Sequence, residues 1–185
     1  SDLDHSGGWA ALRQHFEMAR HWGFGGERCV AGRSLRVTDS LYAQVIMGTG
    51  QSTTTPNADS CVLFVEAHGA TMLFPGDIPA RAELQLIASG SLPEQIDILV
   101  AAHHGSDTSS SQTFIDRVDP AHTVFTTKQA NRFNHPGPRV LARYQKSGGA
   151  LWDTGRHGAV SFRKRPARNL SATAVRIGYL PYWAK

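Results

Sequence analysis

Hydrophobic and polar positions change period several times along the chain, and each change marks an element. Trp9, Leu12, Phe16 and Ala19 recur at helical spacing and Gly23 follows where a left-handed C-cap is usual, which predicts an amphipathic helix over Trp9 to Trp22. Phe24 to Asp39 mixes Gly, Arg and short apolar pieces without a period. Leu41 to Ile46 reads as a strand, and the Ser-, Thr- and Gly-rich stretch Gly48 to Asn57 as a flexible loop. Cys61 to Val65 and Thr71 to Phe74 flank a turn at His68-Gly69 and predict a hairpin that is apolar on both sides, hence buried on both faces. Beyond Pro75-Gly76-Asp77, helices at Ala80 to Ser89, Gln112 to Val118 and Val140 to Lys146 alternate with strands at Ile96 to Ala101, Thr123 to Phe125 and Ala150 to Trp152. Ala159 to Arg163 closes that region as a strand, and Thr173 to Ile177 adds an edge strand before the aromatic end Tyr179 to Trp183. Alternating strands and helices with no repeat or linker predict a single α/β domain over residues 1–185.

Composition agrees with that picture. The chain has 185 residues, 41% hydrophobic and 18% charged, long enough to bury roughly two thirds of its unfolded surface. No apolar run approaches the ~18 to 20 residues of a membrane span, and no charged-then-apolar leader is present, so a soluble domain is expected. Nineteen Lys and Arg against fifteen Asp and Glu give a net charge of +4, a mild bias toward polyanions. The two cysteines, Cys29 and Cys61, are too few for a tetrahedral thiolate zinc site and form no C-x-x-C pair. In an oxidising compartment they are expected to form one disulfide; the alternative is two small buried hydrophobes. The chain opens on Ser1 and runs at once into polar motif residues, so a fragment of a longer protein is expected.

Four places carry candidate chemistry. Asp2-Leu3-Asp4-His5, ahead of the first helix, offers two carboxylates and an imidazole that can converge on a cation, or simply cap the helix. Asp77 stands where a buried strand runs out, rigidly aimed as a bridging ligand must be, although an Asp there also starts turns. His103-His104-Gly105-Ser106 follows another buried strand, the usual location for sites in α/β sheets. One of the two histidines can bind metal while the other packs or meets substrate. Ser106, Thr108, Ser109 and Ser110 supply hydroxyls and amides for an oxyanion, or merely a solvated loop. Asn131-Arg132-Phe133-Asn134-His135-Pro136 places Arg132 and His135 to serve a phosphate or a leaving group, with a plain polar turn as the alternative. Gly155-Arg156-His157-Gly158 reads as a hairpin turn, and His15, His21, His68 and His122 as structural or exposed.

Taken in order, Asp2-x-Asp4-His5-x-Gly7-Gly8, Gly76-Asp77 and His103-His104-Gly105-Ser106 resemble the metallo-β-lactamase superfamily, whose first motif is H-x-H-x-D-H. Asp4 and His5 match its last two positions and Asp2 stands where the second His usually is. No residue matches the histidine that usually lies between the first motif and the bridging aspartate. The chain is most similar to the C-terminal domain of ComEC-type DNA-internalisation competence proteins. That likeness rests on Cys29-x-Ala31-Gly32, Asn57-x-x-Ser60-Cys61-Val62-Leu63, Gly76-Asp77-Ile78 with Glu83 and Leu86, the His103 to Ser110 segment, and Asn131-Arg132-Phe133-x-His135-Pro136.

The resemblance implies an αββα sandwich, lacking its N-terminal strands here. It also implies a metal-dependent nuclease that degrades the strand not imported, as a domain on the outer or periplasmic face of an inner-membrane protein whose channel lies upstream. Asp2, Asp4, His5, Asp77 and His103 or His104 are then the ligands of one or two manganese or zinc ions, with Asp77 bridging. Catalysis falls to Asp77, Arg132 and His135, and phosphate contact to Ser106, Thr108, Ser109 and Arg132. DNA is the partner, and no small-molecule cofactor is expected. Carboxylate-rich ligation favours manganese. The chain as given is expected to be weak or inert, and one completed upstream active. Two alternatives keep part of this picture: a hydrolase of thioesters, lactones or β-lactams on the same fold, and a non-catalytic DNA-binding module.

Overall fold

In the computed structural model, which describes residues 29–48, 56–164 and 169–176, strands β1 (Ser34–Thr38), β2 (Leu41–Met47), β3 (Val62–Ala67) and β4 (Ala70–Phe74) form an antiparallel meander. Between β3 and β4, His68 and Gly69 both have positive φ (52° and 75°). That is the two-residue turn whose twist suits a tight hairpin. Strands β5 (Ile98–Val100), β6 (His122–Phe125) and β7 (Ala150–Asp153) then add parallel to β4, completing a seven-stranded sheet in the order β1 to β7. Parallel neighbours need crossovers, and these are helices α1 (Ala80–Ala88), α2 (Gln112–Val118) and α3 (Pro138–Ser147). The fold is therefore α/β, as the alternating pattern predicts.

Register sorts the side chains by face. Leu73, Leu99, Thr123 and Leu151 stand abreast across β4 to β7. Leu73, Leu99 and Phe125 pack into one core with Leu86, Phe114, Ile115 and Tyr144 of the helices, and the Phe125 and Tyr144 rings meet edge to face at 5.4 Å. The opposite face, at β6 and β7, carries His122 and Trp152. Both rings lie against Phe162 of a separate two-stranded antiparallel sheet, β8 (Val160–Arg163) with β9 (Ser171–Ala174).

Several expectations change. The strand read at Ala159 to Arg163 pairs with Ser171–Ala174 instead of extending the main sheet. Of the edge strand read at Thr173 to Ile177 only Thr173 and Ala174 are in a strand, Val175 and Arg176 form a turn, and Ile177 lies outside the described residues. The aperiodic stretch before Asp39 contains β1, whose residues are almost all exposed, so no alternation marks it. Gly155 to Gly158 is not a hairpin turn: Thr154–His157 forms a one-turn helix, α4, capped by the Asp153 side chain. The β3/β4 hairpin buries Val62, Ala70 and Leu73, but Phe74 is exposed and Leu63, Phe64 and Val65 are only half-buried, so its second face is not sealed. The Trp9 to Trp22 helix, the aromatic end and most of the Gly48 to Asn57 loop lie outside the described residues. Within them, Pro56–Asp59 is a 3-10 turn.

Cys29 and Cys61 form the expected disulfide, with Cα atoms 5.7 Å apart, tying the segment before β1 to the start of β3. Among the described residues no helix is long and apolar enough to cross a membrane.

Candidate functional site

The carboxyl ends of β4, β5, β6 and β7 all point to one edge of the sheet, and every described candidate residue sits in a loop that leaves it. Open α/β sheets bind ligands at that edge because strand ends fix loop bases rigidly while the tips stay free. The β4 loop supplies Asp77. Gly76 before it has φ 62°, and a Cβ there would stand 2.9 Å from the Ser60 Cβ, so the close approach of these two segments requires glycine. The Asp77 amide donates to the Ser60 hydroxyl (3.1 Å). The β5 loop supplies the histidine pair in an unusual backbone: His103 and His104 are both left-handed, with φ 49° and 58°. Non-glycine residues hold such angles only when their surroundings over-determine them. Here the His103 amide donates to the Gly76 carbonyl (2.9 Å) and the His103 carbonyl accepts from the Ser106 amide (2.9 Å), locking the β5 loop onto the β4 loop.

That lock brings His104, not His103, to the aspartate: His104 Nε2 lies 3.8 Å from Asp77 Oδ1. The other ring nitrogen, Nδ1, is 2.9 Å from the Thr126 hydroxyl at the end of β6. With Nδ1–H donating to Thr126 Oγ1, the Nε2 lone pair faces Asp77. A histidine oriented in this way through its second nitrogen is a ready metal ligand. The spacing fits as well: a nitrogen and an oxygen sharing one zinc at about 2.0–2.2 Å stand roughly 3.5 Å apart. Among the described residues no third His, Cys, Asp or Glu completes a group. Asp2, Asp4 and His5, the remaining candidate ligands, lie outside the described residues.

His103 serves the neighbouring surface. Its Nδ1 is 3.3 Å from Thr108 Oγ1, which is 3.0 Å from Ser106 Oγ. Its ring meets His135 edge-on at 6.1 Å. Burial, and then the nearness of His103 and His104, push the His135 imidazole below the ordinary histidine range despite Asp107. At neutral pH it is therefore uncharged and suited to donate a hydrogen bond or accept a proton. Of the expected phosphate contacts, Thr108 is exposed. Ser106 is buried, and Ser109 is only 1% exposed with its hydroxyl donating to the carbonyls of Ala102 and Ser106. Ser109 thus holds the loop in shape instead of reaching an oxyanion. The same segment is braced from below by Glu83 of α1, whose buried carboxylate accepts from the Ser110 and Ser111 amides (2.5 and 2.8 Å).

Beside His104 opens a cleft of about 480 Å³, lined by residues of the β6 loop including Lys128, Asn131, Arg132, Phe133 and His135. The sequence flags Arg132 and His135 there. Thr126 and Lys128 carry no such signal, and Ser60 is marked only within the Asn57 to Leu63 likeness, because what singles them out is their position at adjoining strand ends.

No protein-family model matches the chain. It is 31% identical over its whole length to competence protein ComA of Neisseria gonorrhoeae, of which it covers 27%. Along its full length the chain is therefore similar to a segment of a competence protein. Over 80% of its length the chain is 26% identical to ComE operon protein 3 of Bacillus subtilis, and over 85% it is 28% identical to recombination protein 2 of Haemophilus influenzae. It covers 19% of each, so it spans about a quarter or less of the relatives it matches.

Proposed function

We propose that this chain is a metal-dependent DNase domain of a DNA-uptake protein, built on the metallo-β-lactamase fold and facing the outer side of the membrane. The observation that carries the reading is the Asp77–His104 pair, two donors 3.8 Å apart with the second imidazole nitrogen already committed to Thr126. Asp77 and His104, joined by Asp2, Asp4 and His5, would hold one or two divalent cations, manganese before zinc because the donors are rich in carboxylate. Such a cation neutralises phosphate charge and makes water acidic enough to ionise near neutral pH. The chain's own residues do the rest. Lys128 and Arg132 hold the anionic strand in the cleft, Thr108 and the neutral His135 donate hydrogen bonds to the phosphoryl oxygens, and Glu83 keeps the histidine loop in place. The Cys29–Cys61 disulfide supports an oxidising, extracytoplasmic location, and kinship with competence proteins supports DNA as the substrate.

The test is to incubate the chain, and a longer one carrying its natural upstream sequence, with linear DNA and manganese, magnesium or zinc. The longer chain is expected to cleave and the given one to be weak. Asp77→Ala and His104→Ala should abolish cleavage and leave DNA retention largely intact, because phosphate contacts by Arg and Lys dominate affinity. A chelator should act like either substitution. A folded, metal-loaded longer chain that cuts DNA with none of these ions would favour the non-catalytic DNA-binding module.

A further inference from the structure

Phe133 lines the cleft and is 62% exposed, while among the other described Phe, Tyr and Trp residues the most exposed is Phe74 at 38%. Leaving such a ring in water forgoes roughly 1.5–3 kcal/mol of burial, and this loop is not slack enough for the exposure to be accidental. The Asn131 side chain clamps it, accepting from the His135 amide (2.8 Å) while its own amide donates to the carbonyls of His135 (2.6 Å) and Lys128 (3.2 Å). The ring stacks on the His135 imidazole, with centroids 5.7 Å apart and planes 18° from parallel. The Arg132 guanidinium lies 4.6 Å from the Phe133 centroid. Among the described residues neither Arg132 nor Lys128 has a carboxylate partner. A fixed π-face, two cations without a carboxylate partner and a cleft of about 480 Å³ stand side by side, with His104 in the cleft lining.

A π-face beside cations that lack a carboxylate partner is the chemistry that takes a nucleobase together with its phosphate. Bases inside a duplex have both faces covered by their neighbours, so only an unpaired base can lie on Phe133. We propose that Phe133 is a stacking platform for an unpaired DNA base, with Arg132 and Lys128 on the flanking phosphates, so that the strand is led to Asp77 and His104 in single-stranded form. The incoming base takes the guanidinium's place over the ring, and Arg132 turns to the phosphate. This rests on the reading of Asp77 and His104 as the phosphodiester-cleaving pair.

The experiment measures binding by fluorescence anisotropy in the presence of chelator, so that cleavage plays no part. The probes are labelled oligo-dT of roughly ten nucleotides, within the site size of single-strand-binding folds, and the same strand annealed to oligo-dA. The wild-type chain should prefer the single strand. Phe133→Ala should weaken that binding roughly 10- to 100-fold, the loss of one stacked base, and leave duplex binding unchanged, whereas Phe133→Trp should retain it. The ring is exposed, so the variants are expected to melt with the wild type, which circular dichroism verifies. Equal single-strand affinity in Phe133→Ala, an equal loss for both probes, or no binding of either by the wild type would overturn the proposal. Failure to cleave with any metal would sink the nuclease reading without touching this binding result.

Discussion

His122, the first residue of β6, shows how one side chain ties pH to stability. Its Nδ1 lies 3.2 Å from the Trp152 indole N–H, which it accepts only when unprotonated, and its ring packs 5.3 Å from Phe162. Burial lowers its pKa, with Asp97 opposing. The unfolded chain therefore takes up the proton more readily than the folded one, so the stability His122 contributes is present above about pH 6.5 and is lost as pH falls toward the folded pKa. Denaturant midpoints should drop between about pH 7 and pH 5, and His122→Gln, which keeps an acceptor but cannot titrate in that range, should flatten part of the drop. His135 has a pKa shifted in the same direction and adds to the same drop. Much at this scale is legible in the sequence: Asp77 and the histidine pair stand out because each follows a buried apolar run. The choice between His103 and His104 is not, because it depends on two consecutive left-handed residues and on Thr126, contributed by the next strand.

At the scale of elements, α1 acts on the site from underneath. Glu83 is fully buried and accepts two backbone amides at the start of α2. Burial raises its pKa while those bonds and the Arg143 charge oppose the shift. Arg143 and Tyr144 of α3 reach the same segment through the Ser110 carbonyl (3.0 Å) and hydroxyl (3.2 Å), so α1, α2 and α3 meet at the base of the histidine loop. Glu83→Gln turns one acceptor into a donor and leaves a backbone amide unpaired. We expect it to cost about 1–3 kcal/mol in a denaturant titration, and to loosen the His103–Ser111 loop, seen as faster hydrogen exchange at Ser110 and Ser111. The pattern gives the bounds of α2 without error, because its apolar stripe is buried throughout. It misses β1, which presents no buried face, and α4, whose single turn is set by the Asp153 cap and not by periodicity.

For the molecule as a whole, the disulfide is the covalent constraint. It closes 32 residues of sequence between Cys29 and Cys61; by loop-closure entropy, a ring of that size is worth roughly 3–4 kcal/mol. Unfolding with and without reductant should differ by about that amount, and thiol titration of unreduced, denatured protein should find no free thiol. That Cys29 and Cys61 can pair is readable from their number and placement. That Ser60, the neighbour of Cys61 in sequence, brings the bond close to the Asp77 amide follows only from the meander's register.

The two halves of the sheet also differ in how soon they can be made. Ala67 meets Ala70 across a two-residue turn, whereas His122 meets Ala150 only after the whole of α3 has been threaded between them. Contacts near in sequence close quickly, and those that wait on a crossover close late. The hairpins of the meander are therefore early structure. The strand ends that carry His104, Thr126 and Lys128 are joined last, when the helices dock. A nascent or half-folded chain thus owns most of a sheet before it owns a working edge. Whatever reactivity gathers there is withheld until the surroundings that select its substrate already stand.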